Sequence, residues 1–209
     1  MFTGLVQHVG RIAAKSPTQA GVRLLLDPAG WTHQPSPGES ICVAGICLTL
    51  VAREAGGWAF DAIPETLSKT TLGDLAVGAP VNLEHAATPT TLLGGHVVQG
   101  HVDGVGVVTR VQRGDAGAGG WRVEVQPPAG LMPAMIPKGS VCLDGVSLTL
   151  ASVDPAAGTI EVALIPETLA RTTLRDLREG DRINVEADAM AKAVVHVMRH
   201  YLAHSERRS

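Results

Sequence analysis

Cys47 and Ser147 occupy the same place in two copies of one motif. The first copy, residues 38–50, reads G-E-S-I-C-V-A-G-I-C-L-T-L, and the second, residues 138–150, reads K-G-S-V-C-L-D-G-V-S-L-T-L. A thiol in one and a hydroxyl in the other can each add to an electrophilic carbon, hold a water or pass a proton. The copies differ in the same manner at three more places: Lys138 replaces Gly38, Asp188 replaces Ala86, and His101 replaces Leu5. Thiol, hydroxyl, ammonium, carboxylate and imidazole form a set suited to acid–base work. Thr49 with Thr149, and Thr66 with Thr168, are unchanged between the copies, which suits binding one ligand group twice.

The repetition runs through most of the chain. Ile63-Pro64-Glu65-Thr66-Leu67 returns as Ile165-Pro166-Glu167-Thr168-Leu169, and Thr70-Thr71-Leu72 returns as Thr172-Thr173-Leu174. Asn82 and Glu84 return as Asn184 and Glu186, and Gly4, Val6, Val9 and Gly10 return as Gly100, Val102, Val105 and Gly106. Matches in chain order with drifting offsets mean a tandem duplication. A period near one hundred residues is too long for a solenoid, so each copy is a domain. The division expected is 1–97, 98–187 and a tail, 188–209, with residues 86–95 as the linker.

Short stretches position these side chains. Residues 1–14 and 21–26 read as strands, residues 27–38, with prolines at 28, 35 and 37, as a loop or short helix, and residues 58–62 and 81–84 as further strands. Asp144-Gly145 between apolar runs is a strong hairpin signal, because both turn residues accept positive φ, and Ala44-Gly45 holds the equivalent place. Alternation after the turn puts Cys47 and Thr49 on one face and Ile46, Leu48 and Leu50 on the other. Ser147 and Thr149 oppose Val146, Leu148 and Leu150 in the same way. Short strands at regular spacing suggest small antiparallel barrels. Met190, Val194, Val197, Met198 and Tyr201 form an apolar stripe at helical spacing in a segment that the first half lacks. Copies of the same helix are an economical way to bury it.

Composition narrows the class. Of 209 residues, 45% are hydrophobic and 18% charged, which fits folded domains. A net charge of −3 gives no electrostatic reason to expect nucleic acid or an anionic membrane as partner. No apolar run approaches a bilayer span, and Met1-Phe2-Thr3-Gly4-Leu5-Val6 does not read as a signal peptide. Three cysteines without C-x-x-C spacing argue against a disulfide framework or zinc site. A cytoplasmic protein is expected. His96 and His101, five apart in a glycine-rich segment, make a poor metal pair, so no metal is expected.

Met1-Phe2-Thr3-Gly4, Gly94-Gly95-His96 with Gly100-His101-Val102-Asp103, the paired S-x-C-x-x-G-x-[CS]-L-T-L stretches and the paired I-P-E-T-L stretches resemble riboflavin synthase of the alpha-chain type. The resemblance covers nearly the whole chain. It implies a mainly β fold: two tandem six-stranded antiparallel Greek-key barrels with a C-terminal α-helix, assembled as a homotrimer. It implies a cofactor-free dismutation of two 6,7-dimethyl-8-ribityllumazine molecules. One gives a four-carbon unit to the other, forming riboflavin and 5-amino-6-ribitylamino-uracil. The site it implies lies between the N-terminal barrel of one subunit and the C-terminal barrel of its neighbour.

Carried onto this chain, the resemblance gives catalytic roles to Cys47, His101, Ser147, Thr149 and Asp188. The N-terminal half of the site would use Ser40, Leu48, Thr49, Asp61, Ala62, Ile63, Pro64, Glu65 and Thr66. Phe2 and Thr3 would cover the acceptor, Gly4, Leu5 and Val6 would also bind substrate, and so would Gly100 and Val102 on either side of His101. Lys138, Leu148, Leu164, Ile165, Pro166, Glu167 and Thr168 would form the C-terminal half. Taken singly, these residues have ordinary readings: a free cysteine is often buried, and Asp188 stands where a helix N-cap belongs. Two functions fit the set: this enzyme, or a non-catalytic lumazine or flavin carrier on the same architecture.

Overall fold

The computed structural model describes residues 1–114 and 120–202, the last two by their backbone only. The first copy folds into β1 (His8–Thr18), β2 (Gly21–Asp27), β3 (Ser40–Val43), β4 (Ile46–Glu54), β5 (Gly57–Ala62) and β6 (Pro80–His85), with α1 (Pro64–Lys69) before β6. The second gives β7 (Gly104–Gln112), β8 (Trp121–Gln126), β9 (Ser140–Leu143), β10 (Val146–Asp154), β11 (Thr159–Leu164), α2 (Pro166–Arg171) and β12 (Arg182–Ala187). Helix α3 (Ala189–Val197) follows, continued by a wider turn over Met198–Leu202.

Each copy closes into a six-stranded antiparallel barrel, in the order β1-β2-β5-β4-β3-β6 and its equivalent β7-β8-β11-β10-β9-β12. The register slips between Ile12 and Ala14 and between Leu50 and Ala52, and again at the matching Val108/Arg110 and Leu150/Ser152. Such bulges sharpen the local bend, which helps a six-stranded sheet close on itself. Inward-facing residues fill each barrel: Leu24, Leu26, Ile41, Leu50, Phe60 and Leu83 in the first, Val125, Val141, Leu150, Ile160 and Val185 in the second.

One sequence expectation shifts. The first strand begins at His8 rather than at the terminus, because residues 1–7 leave their own barrel and run along the seam between the two. There Phe2 pairs with Val98, its own counterpart in the second copy, as an isolated antiparallel bridge. The hairpin tips meet on the same axis: Ala44, Gly45, Asp144 and Gly145 all have positive φ. A Cβ on Gly45 would stand 2.7 Å from the Gly145 nitrogen. The barrels are therefore related by a local twofold through Phe2/Val98 and Gly45/Gly145.

Strands β6 and β12 line the seam and are buried on both faces. Val81 and Leu83 face the first barrel, while Asn82 and Glu84 face the seam; Ile183, Val185, Asn184 and Glu186 repeat the pattern. Asn184 accepts the Thr71 N–H at 2.8 Å and donates to the Ala44 carbonyl at 2.8 Å. Asn82 reciprocates, accepting the Thr173 N–H and donating to the Asp144 carbonyl, each at 2.9 Å. Buried polar groups paired across the seam fix the register of one barrel on the other.

The barrel ends are closed differently. In the first barrel Trp31 lies between His8 and His85 and touches His33 and Trp58. In the second, α3 packs Ala191 and Val195 onto the core beside Leu131, and Lys192 pairs with Asp103 at 2.9 Å. That docking leaves Met190, Val194, Val197 and Met198 exposed, with Met190 at 77%. The side chain of Tyr201, the last member of the expected stripe, lies outside the described residues. No helix among the described residues is long and apolar enough to cross a membrane.

Candidate active site

The expected alternation along β4 and β10 is the one observed. Ile46, Leu48 and Leu50 are buried while Cys47 and Thr49 face outward, and Ser147 and Thr149 do the same opposite Val146, Leu148 and Leu150. Pairing sets Ser40 across from Thr49 and Cys42 across from Cys47 on the first barrel. Beside this face, Pro64 and Pro166 at the first turns of α1 and α2 start short helices. Glu65 and Thr66 thereby come alongside Cys47, and Glu167 and Thr168 hold the equivalent places in the first turn of α2.

A cleft of about 270 Å³ opens at the first face. Ile46, Cys47, Ile63, Glu65, Thr66, Lys69 and Thr70 line one side, and Gly100, His101 and Val102 from the second copy line the other. The Cys47 N–H donates to the Gly100 carbonyl at 2.9 Å, and the Ser147 N–H donates to the Gly4 carbonyl at 2.8 Å. Each outward face is thus completed by the segment that leads into the opposite barrel. Gly4 and Gly100 have φ of +74° and +76°, and a Cβ on either would stand within 2.7 Å of the Ser147 or Cys47 Cβ. Only glycine meets both conditions.

The second face holds a group absent from the expected site. The His96 Nδ1 lies 2.6 Å from the Ser147 Oγ, and Gly95 packs against the same side chain. Burial lowers the His96 pKa, and the Asp188 carboxylate works against that shift. Imidazole and hydroxyl are within hydrogen-bond distance, with either able to donate, and the Asp188 carboxylate favours the charged ring. The Asp188 Oδ1 also accepts the Met190 and Ala191 N–H groups at 2.9 Å, so the residue is both cap and neighbour of the site. Lys138 is exposed at φ +66°, where the first copy has Gly38. His96 was present in the Gly94-Gly95-His96 motif, but it has no partner in the first copy and so escapes a comparison of copies.

Other expected residues fall elsewhere. Phe2 is buried in the seam with Val98, Cys42 and Cys142, and the Thr3 hydroxyl donates to Glu84 at 2.7 Å. Gly4 abuts Ser147, Leu5 is exposed and Val6 packs on the second core. Leu48, Ala62, Leu148 and Leu164 point into the barrels and offer a ligand only main-chain groups. Ile63 is exposed at the cleft it helps to line, and Ile165 is exposed just before α2. Asp61 lies on the outer wall in a two-pronged pair with Arg23, at 2.7 and 2.8 Å, whose hydrogen bond holds the carboxyl below its usual range. It does not line the cleft. Cys42 and Cys142 are buried, and that burial pushes both thiols well up, leaving Cys47 as the accessible cysteine.

Two closed barrels about a local twofold, each completing an outward polar face of the other and one of those faces opening as a cleft of about 270 Å³, define a tandem-barrel small-molecule protein. Comparison with known proteins specifies it further. The family model described as lumazine binding domain matches twice, over residues 3–86 and 99–188. The riboflavin synthase of Mycobacterium tuberculosis (strain ATCC 25618 / H37Rv) is 38% identical over 203 residues, 95% of this chain and 98% of the relative. That of Chlamydia pneumoniae is 37% identical over 206 residues, 98% of each chain. LumP complexed with riboflavin superposes with a TM-score of 0.78 at 27% identity, over 90% of this chain and 99% of that one. The chain belongs to the riboflavin synthase family, with a lumazine-binding domain in each half.

Proposed function

We propose that this protein is a riboflavin synthase, converting two 6,7-dimethyl-8-ribityllumazine molecules into riboflavin and 5-amino-6-ribitylamino-uracil without a cofactor. The observation that carries this reading is the unequal chemistry of two otherwise equivalent faces. One offers Cys47 and His101 in a cleft; the other offers Ser147 paired with His96, Asp188 nearby and Lys138. A lumazine at each face would meet different groups. At one face, Cys47 or a water it holds adds to the ring; at the other, the hydroxyl–imidazole pair moves a proton to or from the partner ring. Orientation of the two rings supplies much of the rate.

The full site on this reading is shared. The Cys47 face of one chain meets the Ser147 face of its neighbour in a homotrimer, and the exposed stripe of α3 packs against its symmetry copies. Thr49, Thr66, Thr149 and Thr168 hold the ribityl chains, and the protein works in the cytoplasm. The likeness to LumP supports a rival reading as a chromophore carrier, but a carrier has no need of the Cys47, His101, Ser147 and Asp188 set. Incubation with the lumazine alone, followed by absorbance, separates the two. One riboflavin for every two lumazines consumed is the expected result. Bound lumazine that never turns over would leave the carrier.

A further inference from the structure

Glu84 and Glu186 are buried carboxylates to which the reaction gives no part. Each is gripped chiefly by main-chain donors, with no direct ion pair among the described residues. Glu84 accepts the Thr3 N–H at 2.7 Å, the Thr3 hydroxyl at 2.7 Å and the Gly4 N–H at 2.9 Å. Glu186 accepts the N–H groups of Gln99, Gly100 and His101 at 2.8, 3.0 and 3.1 Å. Burial raises both carboxyls; the Thr3 hydroxyl and the Thr3 and Gly4 N–H groups offset part of the rise at Glu84, and the Gln99 N–H, the Lys192 charge and the Gly100 N–H offset part of it at Glu186. A carboxylate is the only side chain with two acceptor oxygens and no donor, so it alone suits three converging donors.

What each glutamate grips then reaches the other barrel. The Gly100 carbonyl, one peptide along from the gripped N–H, accepts the Cys47 N–H, and the Gly4 carbonyl accepts the Ser147 N–H. We propose that Glu186, on the second barrel, is a positioning residue for the Cys47 face, and that Glu84, on the first, is one for the Ser147 face. Each glutamate acts across the seam by fixing the crossing segment that completes the opposite face. His101 is placed by the same grip, since its N–H is one of the three. The proposal rests on the riboflavin synthase reading only for what the faces do chemically, and the crossed dependence can be measured without turnover.

Cys47 is the reporter, because Cys42 and Cys142 are buried. The experiment is alkylation of the intact protein with iodoacetamide, read at each cysteine by peptide mass spectrometry. Glu186→Gln puts an amide N–H₂ among N–H donors and frees the 99–101 segment. Cys47 modification should then speed up about tenfold through local opening. Glu84→Gln should leave the Cys47 rate within about twofold of the parent, as the segment it frees lies over Ser147. A role confined to each barrel's own stability predicts the reverse, because Glu84 pairs directly with Cys42 on the strand beside Cys47. Equal acceleration in the two variants, or none in Glu186→Gln, overturns the proposal. If Glu186→Gln fails to fold, Glu186→Asp keeps the charge and withdraws it by one methylene. The same crossed pattern is required of it, on a smaller scale. Crossed labelling without riboflavin formation would sink the enzymatic reading and leave the clamps standing.

Discussion

Cys47 and Ser147 differ by one atom, sulfur for oxygen, at the same outward position of the same hairpin. Both main-chain N–H groups are engaged by a glycine carbonyl, so the side chains are the part left free to differ. Replacing Cys47 by Ala removes the thiol from a partly exposed strand site and costs little stability. Turnover should drop by about two orders of magnitude or more if the thiol adds to the ring or holds the water that does. Cys47→Ser should retain part of it. Steady-state riboflavin formation checks both, and parental activity in Cys47→Ala would remove the residue from the mechanism.

Asp144 is a further residue where the copies differ, Ala44 being its counterpart. Burial carries its carboxyl from 3.8 up to about 7, although it accepts the Asn184 N–H at 2.8 Å. The folded chain therefore holds a proton there that the unfolded chain has already lost. Stability should fall as pH rises from about 4 to about 7 and level off above. Asn suits the left-handed turn position as well as Asp does and carries no charge. Asp144→Asn should raise stability at pH 8 by on the order of 2 kcal/mol and flatten the slope, leaving the smaller contributions of Glu84 and Glu186. Urea melts at a series of pH values would show this, and an unchanged slope would refute it.

At the scale of elements, α3 has two faces with different duties. Ala191, Val195 and Lys192 hold it to the second barrel, while Met190, Val194, Val197 and Met198 face outward. Val194→Asp with Met198→Asp leaves the docked face intact. On the homotrimer proposed above, sedimentation of this double variant should show species smaller than the parent assembly, and an unchanged assembly would take that role away from the stripe.

Those outward residues were visible in the sequence as a stripe, and the strands and the β9–β10 hairpin were visible as alternation and Asp144-Gly145. What could not be read was the crossing of residues 1–7 and 96–103. Alternation reports which way side chains point along one strand. It says nothing about which barrel a leading segment lies on. Phe2, which the resemblance set over the ligand, lies in the seam core in this chain. Asn82, Glu84, Asn184 and Glu186 were plain as repeats, but their partners lie across the seam and carry no local sequence signal. His96 had a motif around it and no counterpart to set it against.

For the whole molecule, the seam predicts how a half behaves. Residues 1–97 include a closed barrel, but alone they would expose Phe2, Cys42 and Asn82, which are buried in the intact chain. Two such fragments can restore the seam by pairing about the same axis, each lending its Thr3-Gly4 segment to the other's Cys47 face. The fragment should therefore run as a dimer in sedimentation and bind one flavin per chain by fluorescence titration. It lacks His101, Ser147, Lys138 and Asp188, so it should form no riboflavin at a measurable rate. Turnover near that of the whole protein would refute the roles given to the second half.

The bridge between Phe2 and Val98 has a consequence for heredity as well as for packing. A residue that pairs with its own counterpart is the mark of an isologous contact between two identical chains. In such a dimer any mutation is expressed twice, once on each side of the axis, and neither copy can be altered alone. Joining the copies into one polypeptide lifts that constraint everywhere, but to unequal effect. Where counterparts touch each other, as Gly45 and Gly145 do, a change in one still meets the other and is held back by it. Where they are apart, as Cys47 and Ser147 are, each is free to drift. The axis is where the two copies must still agree, and the outward faces of Cys47 and Ser147 are where one chain can carry two different chemistries.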